Sequence, residues 1–161
     1  MGGLGPTEFR NVMGRFVTGV TVVTVRDSTG PHGVTVNSFT SLSLEPPMIL
    51  VCLRPGRSAS ALRRSGHFGV SILGADQEQL GRFFARADRP SGADAFDQVP
   101  HRAGCGGVPL IEGAAAQLEC LVRQRIRAGD HLMYVGEVVG LQVDGAVDSL
   151  AFHRGRFLSV A

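Results

Sequence analysis

Val20-Thr21-Val22-Val23-Thr24-Val25 decides the fold, together with the stretch Gly33-Val34-Thr35-Val36-Asn37-Ser38-Phe39-Thr40-Ser41-Leu42-Ser43 that follows it. The first run is β-branched throughout, which favours a pleated, half-buried strand over a helix. Asp27-Ser28-Thr29-Gly30-Pro31 is a turn composition. Strand character resumes at Gly33, so residues 20–36 read as a β-hairpin. Residues 37–43 are polar and semi-extended.

More strands lie outward from this hairpin. Pro46-Pro47 breaks the chain, and Met48–Leu53 is a short buried strand. Residues 67–73, 116–126, 131–142 and 150–160 complete the strand set. Turns are expected at Ala128-Gly129-Asp130 and at Asp144-Gly145. Helices are few. One starts at Pro6-Thr7-Glu8, with Phe9, Val12, Met13, Phe16 and Val17 at helical spacing before Gly19. A second is expected after Arg54-Pro55-Gly56, capped by Ser58, with Ala59, Ala61 and Leu62 inside. A third, capped by Asp76, carries Leu80, Phe83 and Phe84. Residues 87–116 are rich in Gly, Pro and Ala, too long for a plain connector, and read as a functional or partner-covering loop. The pattern predicts a mainly β (α+β) domain, a small antiparallel barrel with two or three helices packed outside.

The chain has 161 residues. One domain over 1–161 is expected, able to bury on the order of 70% of its unfolded surface. Hydrophobic residues make up 43% and charged residues 19%, which argues against disorder. The net charge of +2 is too balanced for a dedicated nucleic-acid binder. All 16 basic residues are arginine. Without lysine there is neither a Schiff base nor a P-loop. Cys52, Cys105 and Cys120 form no CxxC pair and read as reduced thiols of a cytoplasmic protein. No apolar run approaches the roughly 20 residues of a membrane span, and the start MGGLGPTEFR lacks a signal core. His32, His67, His101 and His153 lack metal-ligand spacing, so no metal site is expected. No nucleophile elbow is present.

Four segments can carry chemistry. Thr35–Ser41 is dense in hydroxyl and amide groups, and reads either as a solvated strand edge or as a cradle for a polar heterocycle or phosphate. Arg54–Ser60 opens a helix, where free N–H groups, Ser58, Ser60 and the fork of Arg57 suit an anion as well as ordinary capping. Gly129-Asp130-His131 places a histidine at a hairpin, either structural or facing a ligand. Phe83-Phe84-Ala85-Arg86 ends a helix, with the aromatic pair suited to core packing and Arg86 within reach of a phosphate.

In their order along the chain these segments resemble the flavin reductase family of split-barrel proteins, the reductase components of two-component flavin-dependent monooxygenases. The resemblance is carried by Phe16–Thr24, Gly33–Ser43 with Pro46-Pro47, Arg57–Ser60, His67–Ile72, Gly129–His131 and Leu150–Phe157. It implies a Greek-key antiparallel FMN-binding split β-barrel with a few flanking helices, acting as a homodimer. It implies FMN or FAD as flavin and NADH or NADPH as hydride donor. Thr35, Val36, Asn37, Ser38 and Ser41, with Cys52 and Leu53, would line the flavin. Arg57, Ser58 and Ser60 would hold its phosphate. Phe84, Ala85 and Arg86 would lie near that phosphate or the rest of the cofactor. His131 would orient the nicotinamide rather than transfer a proton. A tyrosine common in the closing segment is His153 here.

The implied chemistry needs orientation and electrostatics rather than a protein nucleophile. Its implied partner is a monooxygenase that receives reduced flavin, with neither nucleic acid nor membrane involved. Two other readings keep the fold: a tightly held FMN acting directly on an organic substrate, and a non-enzymatic flavin-binding protein.

Overall fold

A computed structural model describes residues 4–160, so the first three residues of the MGGLGPTEFR start and Ala161 lie outside the described part. Along the chain run α1 (Pro6–Met13), β1 (Thr18–Gly19), β2 (Thr21–Asp27), β3 (Gly30–Val36), β4 (Phe39–Leu44) and β5 (Pro47–Leu53). Then come α2 (Arg57–Ser65), β6 (His67–Ile72), α3 (Glu78–Ala85), β7 (His101–Ala103) and β8 (Pro109–Ile111). The chain closes with β9 (Ala116–Ala128), β10 (His131–Val143), β11 (Leu150–His153) and β12 (Arg156–Ser159).

Seven strands form one sheet in the order β3-β2-β6-β9-β10-β5-β4, and every pairing is antiparallel. Its two edge strands, β3 and β4, are consecutive in the chain, so Asn37-Ser38 joins the ends of the curled sheet. Ser38 Oγ donates to the Cys52 carbonyl at 2.9 Å and accepts from the Cys52 N–H at 3.2 Å, which ties that junction to β5. This is the barrel expected from the sequence.

The β-branched run earned its reading because β2 is covered on both faces. Val23 and Val25 point into the barrel core with Ile49, Val51, Leu62, Phe68 and Tyr134. Val20 and Val22 point into a second core with Leu73, Phe84, Phe96 and Ile111. A parallel-sheet strand would have the same composition; here it arises because two cores share one strand. Residues 87–116 supply Ala95, Phe96, Val99 and Ile111 to the second core and also bury Val108 and Leu110. Most of the segment, with its β7–β8 hairpin, covers the protein's own interior, while Ala87 and Arg89 at its start line a surface cleft, so the functional reading holds for that start alone.

Local details differ too. α1 ends at Gly14, so Phe16 and Val17 lie beyond it. α2 is capped by Gly56 rather than Ser58, whose hydroxyl turns toward the Gly33 carbonyl. α3 is preceded by Gln77, not capped by Asp76. Residues 150–160 are a hairpin rather than one strand. Arg154 and Gly155 both have positive φ, 49° and 76°, the signature of a two-residue hairpin turn. Arg64, exposed on α2, is paired with the buried side chain of Asp27. None of the residues of α1 is buried. No helix among the described residues is long and apolar enough to cross a membrane.

Candidate active site

A cleft of about 610 Å³ opens between the end of β3, the β5–α2 connection, the segment after α3 and the start of β10. The chain reaches it from four distant places because β3 and β5 both end there and α2 begins there. Helix α2 is held by its own burial of Ala59, Ala61 and Leu62, and by the Tyr134 hydroxyl, which donates to the Ala59 carbonyl at 2.9 Å. α3 sits close to β3 because Gly33 has no side chain. A Cβ at Gly33 would lie 2.6 Å from the Phe84 ring.

Ten of the fourteen residues singled out from the sequence line this cleft: Thr35, Val36, Asn37, Ser38, Cys52, Leu53, Arg57, Ser58, Ala85 and His131. Several of their polar groups are already engaged. The Thr35 hydroxyl donates to the Gly81 carbonyl at 2.8 Å, and Ser38 closes the barrel. They shape the cleft and leave the exposed Asn37 amide as the adaptable group. The other four lie elsewhere. Ser41 is exposed on β4. Ser60 faces a neighbouring groove. Phe84 is fully buried against Phe83 and Phe96 in the second core. Arg86 is held by Asp88 through two hydrogen bonds of 2.9 Å.

One residue that the sequence reading missed shapes the electrostatics. Arg89 lines the cleft beside Arg57. Its Nε donates to the Gly33 carbonyl at 3.0 Å, and Arg57 Nη2 donates to the Arg89 carbonyl at 3.2 Å. Neither guanidinium has a carboxylate partner among the described residues. Burial, and then the charge of Arg57, lower the pKa of Arg89. Two like charges held together without a counter-charge favour an anion between them. The first turn of α2 lies beside them, and Gly56 gives it no side-chain cap, so its N–H groups add to that field. The only local hint of Arg89 was a third arginine in the segment 82–89, and its target, the Gly33 carbonyl, lies 56 residues away.

At the other end, His131 Nδ1 lies 2.7 Å from Asp130 Oδ1, and Arg54 Nη2 donates to Asp130 Oδ2 at 3.2 Å. Hydrogen bonds from His131, then from Arg54, hold the Asp130 carboxyl below the usual carboxylate range. An ionised Asp130 accepts from Nδ1–H and so fixes the orientation of the His131 ring. Cys52 borders the cleft half-buried, whereas burial pushes the Cys120 thiol up to about 12, far from a nucleophile.

A larger hollow of about 880 Å³ adjoins the cleft and shares Asn37 and Ser38 with it. Met13, Phe16, Val17, Phe39 and Phe152 give it an apolar wall.

The curled antiparallel barrel is the split-barrel fold of solved flavin reductases. The family model for a flavin reductase like domain matches residues 13–161, and the chain belongs to that family. An NADH-dependent FAD reductase of Streptomyces globisporus is 45% identical over 93% of this chain and 83% of its own length. An NADH-dependent FMN reductase of Agrobacterium fabrum is 42% identical over 97% of this chain and 87% of its own. The crystal structure of the flavin reductase component of a bacterial two-component tryptophan halogenase superposes with a TM-score of 0.91, at 39% identity, covering 97% of this chain and 98% of that one.

Proposed function

We propose that this protein is an NAD(P)H:flavin oxidoreductase that reduces FMN or FAD and releases the reduced flavin to a partner monooxygenase. The uncompensated pair Arg57 and Arg89 at the floor of the cleft carries the reading. Two guanidiniums and the first turn of α2 fit the phosphate of a flavin nucleotide. Thr35, Val36, Asn37, Ser38, Cys52, Leu53 and Ala85 form the walls for the rest of the flavin. The bound flavin supplies the hydride acceptor. The protein's part is to hold the two ring systems in register and to exclude water between them. His131, fixed by Asp130 and Arg54, orients the nicotinamide at the mouth.

The protein acts as a homodimer in this reading. Phe9 and Phe16 are 60% and 70% exposed, and the apolar hollow beside α1 would be wetted in a monomer. The reading of a single domain is supported by β2, which joins both cores. Three free thiols suit the cytoplasm.

The test is NADH oxidation followed by absorbance, with and without added FMN or FAD. Loss of NADH that needs added flavin supports a diffusible-flavin reductase. Oxidation by a yellow protein without added flavin would point to a tightly held prosthetic group instead. No oxidation of NADH or NADPH under any condition would overturn the reading.

A further inference from the structure

Resting on that flavin reading, the structure also bears on which flavin. Beyond Arg57 the cleft does not stop. A second groove of about 400 Å³ begins on the far side of the Arg57 side chain, within the range of roughly 300–1,000 Å³ that holds small ligands. Ser60 and Arg64 of α2 line one side of it, and His32 and Ser91 the other. Arg57 lines both spaces, so they meet at the cation that would hold a flavin phosphate.

The groove is built rather than incidental. Asp27 anchors Arg64, which approaches it through Nε at 2.8 Å and through Nη2. The same carboxylate receives the Thr29 N–H at 2.8 Å and the Thr29 hydroxyl at 2.7 Å, and His32 Nε2 lies 2.9 Å from the Thr29 hydroxyl. Burial alone would push the Asp27 carboxyl up. The Thr29 hydrogen bonds and the Arg64 guanidinium outweigh it and hold the group well below the usual carboxylate range. The carboxylate is therefore ionised and fixes Arg64, while Arg64 Nη1 takes no part in the pair. Arg57, Arg64 and Arg89 then stand around the path against the single carboxylate of Asp27, leaving it cationic. Ser60 and Ser91 add hydroxyls of the kind that meet a ribose.

We infer that this groove takes the AMP half of FAD, and that the protein prefers FAD to FMN. FMN ends at one phosphate and would leave the groove empty. FAD continues through a second phosphate into a ribose and a base, groups for which the groove offers the Arg64 guanidinium and the hydroxyls of Ser60 and Ser91 next to Arg57.

The test measures flavin binding without nicotinamide, by quenching of flavin fluorescence, for the protein as it stands and for Ser91→Glu and Ser91→Lys. Ser91 is exposed, so neither change threatens the fold. FAD should bind at least about tenfold tighter than FMN, a difference of about 1.4 kcal/mol. Ser91→Glu should bring FAD toward the FMN value, Ser91→Lys should tighten FAD, and neither should move FMN. Equal affinities for the two flavins would overturn the inference, as would variants that shift both flavins alike. So would variants that change only the KM for NADH, which would assign the groove to the adenosine of the nicotinamide cofactor. NADH oxidation on the same samples keeps the two readings apart. Turnover with equal flavin affinities sinks the FAD preference alone, whereas flavin binding without turnover sinks the reductase.

Discussion

Helices α1 and α2 have similar lengths and both carry apolar residues on one face, yet they end up in opposite situations. α2 buries Ser58, Ala59, Ala61 and Leu62, and its first turn forms the floor of the cleft. α1 buries nothing and is tied to the body mainly through the Gly14 carbonyl, which accepts the Arg154 N–H at 3.0 Å. The tip of β9–β10 resembles α1 in this respect, since residues 123–130 are all exposed. The α2 end of the cleft is thus anchored on the interior through Ser58 and Ala59, and the opposite end is mounted on the periphery. Amphipathic spacing reports that a face will be covered; it does not report by what.

That contrast can be broken at four points. Leu62→Ala strikes the anchored side and should cost about 2–5 kcal/mol of stability, read by denaturant unfolding. A loss near zero would mean that α2 does not depend on the barrel core. Gly33→Ala forces a methyl against the Phe84 ring and should cost about 1–3 kcal/mol, with flavin affinity falling because β3 and α3 must separate. Unchanged flavin binding would show that this contact does not shape the cleft. On the peripheral side, His131→Ala should leave the melting temperature unmoved and raise the KM for NADH about tenfold, the worth of one oriented contact of about 1.4 kcal/mol. A larger effect on flavin affinity would remove its nicotinamide role. Phe16→Ser should change the stability of the isolated subunit by no more than about 0.5 kcal/mol while shifting sedimentation toward monomer. An unchanged sedimentation coefficient would count against α1 as a dimer contact.

The strands were legible because β-branched runs and turn residues are local signals. β2, β3 and β5 fall close to where Val20–Val25, Gly33–Val36 and Met48–Leu53 place them. The caps were not legible, because Ser58 and Asp76 fit the composition of a cap while the backbone begins each helix from Gly56 and Gln77. The second core was hidden for a different reason. Its cover, residues 87–116, has almost no regular periodicity, so its burial depends on where the loop lands. The candidate site divides the same way. Residues adjacent to the motifs converge on the cleft, whereas Arg89 enters through contacts with Gly33 and Arg57 that no local pattern encodes. Phe84 follows the core-packing reading of the aromatic pair rather than the cofactor contact that the resemblance implied, its ring turned inward beneath Gly33.

The sharing of β2 between two cores also sets how the molecule breathes. Residues 21–24 are paired on one edge with β3 and on the other with β6, and both faces are covered. Opening either core strips one face of the same strand, so neither can open alone without weakening the other. Amide protons of Val22 and Val23 should therefore be among the last to exchange with deuterium, at a rate set by global unfolding, while those of α1 and the β9–β10 tip exchange from the native state.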